Sequence, residues 1–281
     1  MMIGRLRESL TLWVQGGLGN QLFQWNAGLH AAGRINAPLL LSPASFRRDP
    51  LREIELRTLL HNQDLTTLIE DLAIGRPFAR SGELKTKSGP FGLSIVESPQ
   101  LVQEVGTLLL GFFQTEDDLA IPTGQVVTKM QARSSELRDT PLGKKVEGRI
   151  GVHVRRGDYV TAPGALRAFG TISERYYLDS LDSLGASVQD AIFFSDDPDY
   201  VVRTFGVKRE HVVGPSDTDT DLESMLVMSL SRGLIIPNST FSWWAAEAMG
   251  PDALVVSPTR WFVDERIDQK VGRSYWRHVD N

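Results

Sequence analysis

In the segment Gly151-Val152-His153-Val154-Arg155-Arg156-Gly157-Asp158-Tyr159 an imidazole and a guanidinium stand two residues apart. Successive strand side chains point to opposite faces, so Ile150, Val152 and Val154 share one face, while His153 and Arg155 share the other. A parallel strand buried on both sides is usually apolar on both. A histidine and an arginine at its carboxyl end need a ligand or a partner, because an unpaired buried cation is strongly unfavourable. A guanidinium fork matches phosphate oxygens in a two-point contact, and the carboxyl ends of strands are where open α/β sheets bind ligands. The chemistry suggested is recognition of a nucleoside diphosphate. The alternative is that Arg155 and Arg156 pair with structural carboxylates, Asp158 among them.

Two further segments place backbone amides where an anion could be received. Gly16-Gly17-Leu18-Gly19-Asn20-Gln21 is a glycine turn between a strand pattern and a helix pattern, a setting for phosphate at a helix N-terminus. Leu22 stands where the dinucleotide fingerprint has its third glycine, so the turn does not specify NAD. Asn20 reads locally as a helix N-cap, a role compatible with reaching a ligand. Asn238-Ser239-Thr240-Phe241-Ser242 opens a second helix, with Thr240 or Ser242 as its simple caps. The tryptophans that follow, Trp243 and Trp244, read as core more readily than as a sugar platform. Spaced aspartates in Ser195-Asp196-Asp197 and in residues 217–221 could hold Mg²⁺. Asp196-Asp197-Pro198 reads better as a strand-end turn and helix start, and the second group as an acidic helix N-terminus.

The elements that must position these residues follow from apolar periodicity. Residues 10–14 read as a strand, with Leu22, Trp25 and Leu29 at helical spacing after it. The region from 43 to 148 is patterned more weakly: a charged helical stretch at 50–72, a loop at 80–92 and a strand at 107–113. From Gly148 onward, strand patterns at Ile150–Val154, 191–194, Val212–Val213, 233–236 and 253–256 alternate with helix patterns at 173–184, Pro198–Phe205, 219–231 and 242–249. Strand then helix, repeated, predicts a parallel doubly wound sheet. Two such starts, at Leu10 and Ile150, predict two domains, 1–146 and 147–281.

Composition narrows the function. With 281 residues, 41% of them hydrophobic, the chain can build packed cores. Its net charge of −5 disfavours nucleic-acid binding. The absence of cysteine excludes thiolate nucleophiles, disulfides, Cys-ligated zinc and iron–sulfur clusters. No apolar run approaches the roughly 18 residues of a membrane span, and no signal-peptide pattern opens the chain, which points to the cytoplasm with at most peripheral membrane contact.

Taken together and in order, the blocks resemble the α-1,2-fucosyltransferases of glycosyltransferase family eleven. The segment His153-Val154-Arg155-Arg156-Gly157-Asp158-Tyr159 is similar to the family's hallmark. Gly16-Gly17-Leu18-Gly19-Asn20-Gln21-Leu22-Phe23-Gln24 resembles its N-terminal block, and Gly111-Phe112-Phe113-Gln114-Thr115-Glu116 its middle one. Phe194-Ser195-Asp196-Asp197 and the run from Asn238 to Ala246 resemble the two C-terminal blocks. The resemblance implies a GT-B architecture of two Rossmann-like domains facing a cleft, the first on the acceptor side and the second holding GDP-fucose. It implies inverting transfer of L-fucose from GDP-β-L-fucose to the 2-hydroxyl of a galactose-terminated acceptor, in bacterial surface-glycan or oligosaccharide synthesis, without a cofactor or a metal. It puts Arg155 on the β-phosphate, His153 near the guanine and ribose, and Asn20 at the phosphate–fucose junction, with Thr240, Phe241 and Ser242 lining the nucleotide site. Arg155, Asp158 and Asn20 are the catalytic candidates, Asp158 as base or as orienter of the arginines. Gly17, Gly19, His153, Arg156, Ser195, Asp196, Asn238, Thr240, Phe241 and Ser242 are the binding candidates. Where relatives have a guanine-reading acid, this chain has Ser224, with Glu223 and Asp221 close by.

Overall fold

The computed structural model describes residues 2–43, 45–46, 53–59, 66–68, 87–88, 92–157, 167, 170–264 and 271–281. The chain divides into two compact units, Met1–Val126 and Val127–Asn281. Each is built around a parallel strand that the sequence marks as apolar.

In the first unit, α1 (Met2–Arg7) leads into β1 (Leu10–Trp13), all four residues of which are buried. Around it lie β2 (Leu39–Ser42), β3 (Thr66–Leu68), β4 (Lys87–Ser88), β5 (Ser94–Val96) and β6 (Thr107–Leu109), in the order β3-β2-β1-β6-β5-β4. Every pairing is parallel except that of β4 with β5. Helix α2 (Leu18–Arg34) buries Leu18, Leu22, Trp25 and Ala31, and each large apolar side chain so covered contributes roughly 1.5–3 kcal/mol. Close approach of α2 to the sheet requires Gly28, where a Cβ would lie 3.1 Å from Leu12 and 3.2 Å from Leu39. Gly28 thus does the packing work that the third fingerprint glycine does elsewhere, which leaves Leu22 free to be core.

Three expectations for this unit are corrected. Thr66–Leu68, inside the stretch expected to be helical, is a strand in register with Leu39–Leu41, as suits β-branched Thr66 and Thr67 beside a buried parallel neighbour. Lys87–Ser88, inside the expected loop, pairs with β5; the rest of 60–91 lies outside the described residues. The strand expected at 107–113 ends at Leu109, and further on Phe113 takes φ 53° and turns the chain.

In the second unit, β7 (Ile150–Val154), β8 (Ala191–Ser195), β9 (Val212–Val213), β10 (Gly233–Ile235), β11 (Leu254–Pro258) and β12 (Arg277–Val279) pair in the order β12-β11-β10-β7-β8-β9. All five pairings are parallel. Helices α6 (Glu174–Ser183), α7 (Pro198–Phe205), α8 (Asp221–Met228) and α9 (Thr240–Met249) form the crossovers. Counted within the unit, the order is 3-2-1-4-5-6, the doubly wound order of nucleotide-binding sheets, and it reverses between β7 and β10. Ile150, Val152, Val154, Tyr176, Phe193 and Ile235 belong to its core.

The division between units falls inside α4 (Gly124–Leu137), which follows the short α3 (Glu116–Leu119) and lies upstream of the 146/147 boundary suggested by the sequence. The cause is side-chain bonding. Gln131 Nε2 donates to the Ala248 carbonyl at 2.9 Å and Ser134 Oγ to that of Leu226 at 3.3 Å, so α4, followed by α5 (Pro141–Val146), belongs with the second sheet. No helix among the described residues is long and apolar enough to cross a membrane.

Candidate active site

In a doubly wound sheet the crevice opens where the strand order reverses, at the carboxyl ends of the two strands flanking that point. Here those strands are β7, which ends in His153 and Val154 and is followed by Arg155 and Arg156, and β10, which leads through Asn238 and Ser239 into α9. Val154 pairs with Ser195, so the two residues after each strand end come side by side. Asp196 takes the Arg156 backbone N–H on Oδ1 at 2.9 Å, and its Oδ2 lies 3.0 Å from Arg155 Nη1. Gly157 permits this: a Cβ there would meet Asp196 Oδ2 at 2.6 Å. Arg156 lies 3.5 Å from Asp197 Oδ2, with its guanidinium carbon 3.7 Å from the centre of the Tyr200 ring. Both arginines therefore have carboxylate partners, as the structural alternative foresaw. They remain 30% and 28% exposed, enough for their outer edges to meet a ligand.

Ser195 and Asp197 are used within the fold. Ser195 Oγ donates to the Val154 carbonyl at 2.8 Å and accepts from the Asp197 amide at 3.0 Å, while Asp197 caps α7 through the Tyr200 N–H. Asn238 is 1% exposed and donates to the Trp261 carbonyl at 3.0 Å, which fixes the turn before α9. Residue 239 is the N-cap of α9, and no side chain caps it, so neither Thr240 nor Ser242 plays the capping role expected of it. The first-turn amides of α9 keep their partial positive charge. Thr240 and Phe241 are half-buried beside them, and Ser242 is fully buried. Phe241 brings α9 up to β7, its ring 5.6 Å from that of His153.

His153 is 5% exposed, and its Nδ1 has no hydrogen-bond partner among the described residues. Burial, followed by the charge of Arg155, pushes its pKa down to about 3. The imidazole is therefore neutral, a hydrogen-bonding group rather than a second cation. Between that value and the ordinary 6.5 the unfolded chain takes up a proton that the folded chain refuses. Stability is thus unaffected by this group above pH 6.5 and falls as pH drops through that window, by at most about 1.4 kcal/mol per unit. Thermal melts from about pH 7 to about pH 4 should show a shallower acid decline for His153→Gln than for the wild type.

The first unit carries its own crevice, where the order reverses between β1 and β6. Gly16, at φ 79°, turns the chain out of β1, and Gly17 is the N-cap of α2, again without a side-chain cap. Asn20 is therefore not the cap; it lies inside the first turn, and its Oδ1 accepts from Gln114 Nε2 at 2.9 Å. Gly19 is buried in the same turn. Two fully buried glutamines peg the loop. Gln24 exchanges bonds with the Gln15 backbone at 2.9 and 3.0 Å, and Gln21 donates to the carbonyls of Gly16 at 3.0 Å and Glu53 at 2.8 Å. These glutamines and Gln114 have no role in the sequence-based expectations, although all of them recur inside the quoted blocks. Asp158 lies outside the described residues. No group of three or more His, Asp or Glu among the described residues could hold a metal. Asp217 is occupied by the Gly214 N–H and Arg209, and Thr220 caps α8.

Residues 100–280 match the family model for glycosyl transferase family 11. The chain belongs to glycosyl transferase family 11. It is 29% identical to the O-antigen biosynthesis glycosyltransferase WbnK of Escherichia coli, over 89% of this chain and 93% of that protein. It is 27% identical to an alpha-1,2-colitosyltransferase of Escherichia coli, over 91% and 93%. Among solved structures, a mutant Arabidopsis thaliana FUT1 in complex with GDP aligns with a TM-score of 0.44 at 12% identity, covering 88% of this chain and 69% of that one. The family 11 match takes in β7, the paired arginines and α9, so the glycosyltransferase segment and the crevice of the second sheet coincide.

Proposed function

We propose that this glycosyltransferase moves L-fucose from GDP-β-L-fucose to the 2-hydroxyl of a terminal galactose, with inversion, in the assembly of a bacterial surface glycan such as an O-antigen. The observation that carries the reading is the seat for a leaving diphosphate: Arg155, oriented by Asp196, stands at the switch point with the uncapped start of α9. The α-1,2 linkage and the glycan are supported by what the two bacterial relatives are named for.

As the glycosyl bond breaks, negative charge grows on the β-phosphate. Fixed donors aimed at that charge stabilise the transition state more than the ground state. Arg155 supplies the guanidinium, the α9 amides supply dipoles, and neutral His153 with Phe241 holds the nucleoside. In the first unit, Asn20 offers its amide to the sugar phosphate. Asp158 is the candidate to take the proton of the acceptor hydroxyl, a role worth roughly 10²–10⁴ in rate. With an arginine in this place, no metal is assigned to the diphosphate and no cofactor to the transfer. The proposed reaction is cytoplasmic, with the acceptor met in solution or at the membrane surface.

The test is GDP release from GDP-fucose with and without a β-galactoside in metal-free buffer, followed by linkage analysis of the product. Release that depends on the galactoside and yields an α-1,2 linkage is expected. Binding of GDP-fucose without turnover on any galactoside would overturn the reading. The colitosyltransferase relative favours a second reading, a colitosyl donor, which the same assay with GDP-colitose distinguishes.

A further inference from the structure

The middle block, Gly111-Phe112-Phe113-Gln114-Thr115-Glu116, has so far no part in the proposed reaction. Its backbone is held on both sides of Gln114. Before it, Phe113 is a bulky residue at φ 53°, an unusual conformation for such a side chain, and its ring is 5% exposed. That ring packs where a Cβ on Gly111 would come within 2.7 Å of it, so only glycine fits there. After Gln114, Thr115 is tied to Asp118 in a capping box: the Thr115 N–H and hydroxyl donate to Asp118 Oδ2 at 3.1 and 2.7 Å, and Thr115 Oγ1 accepts from the Asp118 N–H at 3.3 Å. Strained backbone of this kind persists where the surroundings enforce it. What it delivers is Gln114 Nε2 at 2.9 Å from Asn20 Oδ1, across 94 residues of sequence.

From this contact we infer that Gln114 is a positioning residue that sets which face Asn20 presents to substrate. A carboxamide has one acceptor end and one donor end, and turning it over exchanges them. Gln114 donates, so it engages Oδ1 and leaves the Nδ2 donors facing away from it. Nδ2 lies over the Gly16 turn, 2.8 Å from where a Cβ on residue 16 would be, which is a second reason for glycine there. An oxygen of a phosphate or a sugar beside Asn20 thus meets N–H rather than a carbonyl. The inference rests on the proposed function only in taking that oxygen to be the donor's.

The test is a double-mutant cycle read as kcat/KM and as calorimetric GDP affinity, with thermal melts to establish folding. A glutamate at 114 accepts and does not donate, so Gln114→Glu turns the Asn20 amide over and offers its carbonyl to the phosphate. The expected loss is roughly 10–100-fold. Gln114→Ala, which only releases the amide, should lose less, whereas a merely structural role reverses that rank because alanine leaves the larger void. In an Asn20→Ala background Gln114→Glu should cost under about 2-fold, since nothing remains to turn over. Equal losses in both backgrounds would mean charge repulsion and overturn the inference, as would an Asn20→Ala variant with wild-type GDP affinity and turnover. If GDP-fucose is not turned over at all, the fucosyltransferase reading fails, and the GDP affinities of the same five proteins still decide the role of Gln114.

Discussion

Arg155→Ala lowers kcat/KM for the sugar nucleotide by about 10²–10³-fold, the loss expected for one fixed donor at a developing anion. The structure adds a reason for the high end. Asp196 lies 3.0 Å from the guanidinium and is 22% exposed, so removing the cation leaves a carboxylate where the diphosphate must sit. The seat changes sign as well as losing a donor. Arg155→Ala combined with Asp196→Asn should therefore recover part of the loss, a non-additivity expected of residues in direct contact. Arg155→Lys should remain well below wild type, because an ammonium cannot hold Asp196 and phosphate oxygens in one plane as a guanidinium fork does. The melting temperature should hardly move, since an ion pair this exposed contributes little to stability. Steady-state GDP release, calorimetry with GDP and a thermal melt check the four statements. A loss below 10-fold with intact folding would remove Arg155 from its proposed role.

The expectation for Arg155 was readable from sequence because it follows from strand periodicity, whereas its partner was not. Asp196 reads from the residues alone as part of a strand-end turn; only the parallel register of Val154 with Ser195 puts it beside the arginine. The same contrast runs through the fold. In the second unit the inner strands are buried on both faces, appear as mainly apolar runs, and are found within a residue or two of where those runs lie. Edge strand β12 gives no such signal, because Arg277 and His278 are exposed and it exists only by pairing with β11. β3 and β4 are too short to set a period and are strands through their neighbours. Helix α4 did carry a stripe, Val126, Met130 and Ser134, but its third member is a buried serine bonded to Leu226, which a search for apolar residues passes over. Gln114 could be read as part of a block but not as a partner of Asn20, since that contact depends on the left-handed turn at Phe113.

Trp243→Ala should destabilise the second unit by about 3–5 kcal/mol, a large share of the 5–15 kcal/mol that holds a typical domain together. Trp243 reads from the sequence as core, and it is 0% exposed. It packs edge-on against Trp244 at 5.1 Å and Trp276 at 5.7 Å, and its Nε1 donates to the Val271 carbonyl at 2.8 Å. The Arg273 guanidinium lies 4.8 Å from the centre of its ring and binds Glu247, further along the same helix, through Nε at 3.0 Å and Nη2 at 2.5 Å. Truncation opens a cavity and also cuts the bond to the returning C-terminal segment. At roughly 2–4 °C per kcal/mol, the melting temperature should fall by about 6–20 °C. Trp243→Phe, which keeps most of the ring and loses the Nε1 donor, should cost about 1–3 kcal/mol. Because Trp243 directly follows Thr240, Phe241 and Ser242, these substitutions also separate anchoring from ligand contact. If the tryptophan only anchors α9, Trp243→Phe binds GDP with near wild-type affinity at temperatures where it is folded. An affinity loss without a change in melting would instead place the indole against the nucleotide.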